Sequence, residues 1–155
     1  DKEPAPKPSE TSLATMPDPV PVMGPQKRIL AVGDSLFAGY GLKSGESYPS
    51  KLEIALRAKG INVRIANAGV SGDTSAAGAQ RLDFVLDSQK VKPDLVIIEF
   101  GGNDILRGLP PAETRKNIEA MLAEMPALDA ISICTPPQAH FPAALAALRA
   151  AVCAI

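Results

Sequence analysis

No apolar run in the sequence approaches the roughly 20 residues that a membrane-spanning helix requires, so a soluble domain is expected. Charge of neither sign is in excess: 16 Lys and Arg stand against 17 Asp and Glu, a net charge of -1. There is no basic footprint for nucleic acid and no polybasic signal for an anionic membrane, which leaves small, weakly charged molecules as the expected partners. Cysteine is scarce, with only Cys134 and Cys153. They form no disulfide framework, are either free thiols or one late bridge, and do not decide the redox compartment. Histidine occurs once, at His140.

What is present suffices for one core. The chain has 155 residues, 46% of them hydrophobic, which is enough apolar material for one domain and not for two. The first 26 residues hold seven of the fifteen prolines, with Lys, Glu, Ser and Thr between them. Such a segment buries too little surface to offset its ordering entropy, so residues 1–26 are expected to be a disordered leader or linker, followed by one domain over 27–155. The chain begins at Asp1 rather than Met, as an exported protein does once its signal peptide is removed, and an expression product looks the same. A periplasmic or secreted setting is the expectation, with the cytoplasm as the alternative.

Arg28-Ile29-Leu30-Ala31-Val32 is apolar after its first residue and too short for a helix, so it reads as a strand buried on both faces. It stops at Gly33-Asp34-Ser35. Phe37 to Glu46, rich in Gly and Ser, reads as a loop. Ser47 can cap a helix with Pro49 in its first turn, ending at Gly60, whose Leu52, Ala55 and Leu56 form an apolar stripe. Asn62 to Asn67 is a second strand, leaving through Ala68-Gly69-Val70-Ser71-Gly72-Asp73-Thr74, where Asp73 or Thr74 can cap a helix facing inward with Ala79, Leu82, Val85 and Leu86. Asp94 to Phe100 is the third strand and leads into Gly101-Gly102-Asn103-Asp104. Pro110-Pro111 starts a further helix, on which Ile118, Met121, Leu122 and Met125 repeat at helical spacing.

Strand and helix alternate, with connections long enough for right-handed crossovers. The expected fold is therefore α/β: a parallel sheet between two helical layers, a three-layer α/β/α domain. In such a sheet the carboxyl ends of the strands form the ligand edge. Three exits meet there, bringing Ser35, Gly72 and Asn103 to one edge. A hydroxyl, a backbone N–H beside a glycine and a side-chain amide are the parts needed to attack a carbonyl and hold the resulting oxyanion. Each is also an ordinary turn residue. A nucleotide-binding reading of the glycine-rich exits fares poorly, because no Gly-x-Gly-x-x-Gly follows the first strand and no helix is expected directly after it.

Gly33-Asp34-Ser35-Leu36 with Ala38-Gly39-Tyr40, Asn67 through Ser75, and Gly101-Gly102-Asn103-Asp104 together resemble the first three sequence blocks of the GDSL, or SGNH, hydrolases. The resemblance is nearest to the bacterial arylesterase, thioesterase I and lysophospholipase group and covers about Arg28 to Met125. It implies a flavodoxin-like sheet and hydrolysis of carboxylic esters or thioesters through an acyl-enzyme on Ser35. It also implies an oxyanion hole of the Ser35 and Gly72 backbone N–H groups and the Asn103 side chain, a small-molecule substrate, and no metal or organic cofactor.

The family's fourth block, an Asp-x-x-His near the C-terminus that supplies the base, has no counterpart. Pro137 stands where the acid would precede His140, and Gln138 to Pro142 reads as a loop, which makes His140 a weak candidate for the base. From Pro126 onward the chain holds ten alanines, both cysteines and only two charged residues, Asp129 and Arg149. Ala130 to Cys134 can form a short strand and Phe141 to Val152 an alanine-rich helix that is apolar all round. This composition points to a C-terminally incomplete domain whose 126–155 segment comes from a shifted reading frame or a truncation. The rival to an esterase is then a non-catalytic remnant that binds acyl ligands.

Overall fold

The structure is a computed structural model and describes residues 20–125. Strands β1 (Met23–Gly33), β2 (Ile61–Gly69) and β3 (Leu95–Glu99) form one parallel sheet in the order β2-β1-β3. Helices α1 (Ser35–Ala38), α2 (Tyr48–Ala58), α3 (Ser75–Asp87), α4 (Gly102–Leu106) and α5 (Pro111–Ala123) connect and follow them.

The central strand explains the layering. Side chains alternate across a sheet, and β1 divides its apolar residues accordingly. Ile29 and Ala31 join Val63, Ile97 and Phe37 on one face, where Leu52 and Leu56 of α2 close over them. Leu30 and Val32 join Leu82, Phe100 and Met121 on the other, beneath α3 and α5. Both faces of β1 are covered, which is why the strand is apolar without alternation. Burying each such Leu or Val contributes about 1.5–3 kcal/mol. The three-layer α/β/α arrangement is as the strand and helix pattern predicts.

Several local expectations are corrected. β1 begins at Met23, inside the stretch expected to be leader: the Met23 N–H donates to the Gly60 carbonyl at 2.9 Å and Asn62 Nδ2 to the Gly24 carbonyl at 3.1 Å. The expected loop after Ser35 opens with α1, a single turn directly after the strand. Asp34 caps it by accepting from the Leu36 N–H at 2.9 Å, and Gly39 closes it in the left-handed region. Gly102–Leu106 is likewise a helical turn rather than an open exit loop. Ser47 stands at the N-cap of α2 but makes no capping bond, its hydroxyl pairing instead with Ser50 at 2.9 Å. Of the stripe expected on α2, Leu52 and Leu56 pack on the sheet whereas Ala55 is exposed. Thr74, not Asp73, caps α3, accepting from the Ala77 N–H at 3.3 Å. No helix among the described residues is long and apolar enough to cross a membrane. The leader expected as far as residue 19, the strand and helix expected after Ala130, His140, Cys134 and Cys153 lie outside the described residues.

Candidate active site

Register brings the site to one level. Gly33 at the end of β1 pairs with Gly69 on one side and Glu99 on the other, so the three strands stop together and their exits share an edge. The connection from β1 runs outward to β2, and the chain then returns past β1 to β3. The edge between β1 and β3 is therefore a topological switch point, where open α/β sheets bind ligands.

Asn103 binds these exits together. From the first turn of α4 its Nδ2 donates to Asp34 Oδ2 at 3.1 Å and to the Asp73 carbonyl at 2.8 Å. One carboxamide thus reaches the residue before Ser35 and the residue after Gly72. Asn103 thus lies within hydrogen-bond reach of the chain neighbours of Ser35 and Gly72. In this arrangement both hydrogens of the carboxamide are engaged, so donating to a third acceptor requires exchange with Asp34 or Asp73. If Asn103 is the oxyanion donor that the resemblance implies, Asn103→Ala is expected to lower any ester turnover by roughly 10²–10³. A Michaelis constant that rises with turnover unchanged would assign Asn103 to substrate binding instead.

Ser35 is half-buried as the first residue of α1, and its carbonyl accepts from the Gly39 and Tyr40 N–H groups, both at 3.0 Å. The short helix is fixed from below. Asn67 Nδ2 donates to the Phe37 carbonyl at 2.6 Å, and the Phe37 ring stacks on Tyr48 with centroids 5.5 Å apart. The β1 and β2 exits are further joined by Arg81, which pairs with Asp73 at 2.7 Å and donates to the Gly33 carbonyl at 3.1 Å. Its guanidinium also lies over the Phe100 ring.

Gly72 lies in the exposed turn after β2 with φ of 89°, and a Cβ there would meet only Arg107 Nη2 at 3.9 Å. The cost of a side chain at Gly72 is thus conformational rather than steric. At Gly69 the reverse holds: φ is ordinary, but a Cβ would run into the Phe37–Ala38 backbone. Gly72→Ala should leave a folded protein destabilised by about 1 kcal/mol, with lower activity if Gly72 supplies the backbone donor that the resemblance implies. Gly69→Ala should displace α1 and lose more of both. Comparing their melting temperatures and ester turnover separates the roles, and equal losses would refute the distinction.

The residues that sequence reasoning missed are the carboxylates. Asp34 is 2% exposed and holds both the α1 cap and Asn103. Glu99, 5% exposed, accepts from the Asp34 N–H at 3.4 Å. Burial, and then the facing Asp34 carboxylate, raise the Glu99 carboxyl to about 7. Asp104, 1% exposed, accepts from the Ser75 N–H at 2.8 Å, the Ser75 hydroxyl at 2.5 Å and the Thr114 hydroxyl at 2.9 Å, and Asn117 Nδ2 completes the group at Ser75 Oγ. The signal available in sequence was their position: each ends a strand or adjoins a proposed site residue. Among the described residues no cluster of His, Cys, Asp and Glu is arranged to hold a metal ion.

The chain is similar to known proteins. The GDSL-like Lipase/Acylhydrolase family matches residues 31–154. Esterase TesA of Pseudomonas aeruginosa is 44% identical over 93 residues, 60% of this chain and 45% of that protein. An arylesterase of Vibrio mimicus is 43% identical over 97 residues, 63% of this chain and 48% of the relative. The chain spans about half the length of the curated relatives it matches. Among solved structures, AlinE4, described as an SGNH-hydrolase family esterase, superposes with a TM-score of 0.68 at 61% identity, covering 75% of this chain and 64% of its own. TesA superposes with a TM-score of 0.62 at 36% identity, covering 83% of this chain and 72% of its own. A matched span that takes in all three strand exits, on a sheet of the same architecture, places this chain in the GDSL-like lipase/acylhydrolase family.

Proposed function

We propose that the protein hydrolyses carboxylic esters or thioesters through an acyl-enzyme on Ser35. The observation that supports this reading is the Asn103 carboxamide, which ties the residue before Ser35 to the residue after Gly72. In this scheme Ser35 Oγ attacks the substrate carbonyl and gives up its proton to a base. The Ser35 and Gly72 N–H groups and Asn103 Nδ2 take the developing oxyanion, the alcohol, phenol or thiol departs, and water releases the acyl group. No cofactor enters the scheme. The scheme assigns no base among the described residues, and His140, outside them, is a weak candidate within this chain.

The apolar side chains exposed along the same exits favour an acyl or aryl substrate of small to medium size, including the lysophospholipid type. Leu36 follows Ser35, Val70 precedes Gly72, and Ile105 and Leu106 follow Asn103; all four are exposed. The names of the relatives, esterase, arylesterase and thioesterase/lysophospholipase, support the same class. The Pro-rich first 26 residues support a periplasmic or secreted setting.

The test is a stopped-flow burst with an aryl ester, followed by mass spectrometry of the quenched protein. A burst of chromophore and one acyl mass on the peptide containing Ser35 are expected. Acyl ligand binding without burst or mass addition would replace the esterase with a non-catalytic acyl binder.

A further inference from the structure

Among the described residues, Glu99 and Asp34 are neighbouring buried acids at the ligand edge, and the scheme above gives them no task. Glu99 ends β3 opposite Gly33, and its carboxyl accepts from the Asp34 N–H at 3.4 Å, which sets two buried acids side by side. Asp34 in turn holds the Leu36 N–H and the Asn103 carboxamide. Among the described residues, the cation nearest in this network, Arg81, is engaged by Asp73 and the Gly33 carbonyl. Asp104, the acid next to Asn103, is occupied by Ser75 and Thr114. Two buried carboxylates so close, with no cation placed between them among the described residues, do not both ionise cheaply, and Glu99 is the one that keeps its proton.

We propose, on the reading of Ser35, Gly72 and Asn103 given above, that Glu99 is a positioning residue: its neutral carboxyl steadies Asp34, and through Asp34 the turn at Ser35 and the Asn103 donor. Loss of the Glu99 proton then sets a second negative charge against Asp34 and loosens Asn103. The sign follows from the raised value of about 7 against the ordinary 4.5. The stabilisation from neutral Glu99 is complete below about pH 4.5 and is lost as pH rises through about 7. The site is thus ordered on the acid side and loosened on the alkaline side.

The experiment is an NMR pH titration of the full chain from pH 5 to 9, following the Glu99 side-chain carboxyl carbon, the Asn103 side-chain NH₂ pair and the Leu36 amide, repeated on Glu99→Gln. In the native chain all three signals should shift with one midpoint near pH 7. In Glu99→Gln the Asn103 and Leu36 signals should show no inflection there. An Asn103 signal that does not follow Glu99 in the native chain overturns the proposal without need of the variant, and so does an inflection that persists in Glu99→Gln. The readout needs no substrate, so its failure is distinct from failure of the esterase reading, which the burst experiment tests.

Discussion

Ser35→Ala is expected to remove ester turnover while changing the free energy of unfolding by no more than about 0.5 kcal/mol, since the half-buried hydroxyl lies outside both apolar clusters. The size of the kinetic loss reports the base. Where an effective base is engaged, removing the nucleophile of a serine hydrolase costs roughly 10⁶ in turnover. Where none is, the protein starts near the roughly 10³–10⁴ over water that oxyanion donors and binding alone supply, and little remains to lose. Aryl-ester kinetics on the native chain, Ser35→Ala and His140→Ala distinguish these cases. If His140 is the base, its replacement should match the serine loss, and native activity should rise with pH through about 6.5. Turnover unaffected by Ser35→Ala would remove Ser35 from the mechanism.

Asp104→Ala is expected to be the most destabilising change in the ligand edge, by about 3–5 kcal/mol in urea or thermal unfolding. Its carboxylate is 1% exposed and is the acceptor for the Ser75 N–H, the Ser75 hydroxyl and the Thr114 hydroxyl, which tie α4 to the start of α3 and to α5. Alanine leaves all of these donors in a space that water does not readily fill. The loss is a large part of the roughly 5–15 kcal/mol that holds a typical domain together. Asp104→Asn keeps the shape but turns an N–H₂ toward donors, so it should recover only part of the loss. A cost below about 1 kcal/mol for Asp104→Ala would show that water or local relaxation replaces the carboxylate.

Much of this protein is legible in one dimension because its determinants are local. The short apolar run at Ile29–Val32 and the β-branched Val96-Ile97-Ile98 declare strands, since neither has the length or period of a helix. Pro111 marks the first turn of α5, and Ile118 and Met121 pack it against the core. Alternating strands and helices then dictate a parallel sheet whose exits carry Ser35, Gly72 and Asn103 to one edge. The one-turn helices α1 and α4 escape this logic, because four or five residues show no period, and a cap such as Asp34 reads equally well as a turn former. What only the tertiary structure decides is the polar wiring beneath the site. That Asn103 spans from Asp34 to the Asp73 carbonyl, that Arg81 joins Asp73 to Gly33, and that Glu99 lies against Asp34 depend on strand order and register. In a parallel sheet most of these are contacts between residues tens of positions apart. Charge and spacing along the chain carry no record of them until β1 is seated between β2 and β3.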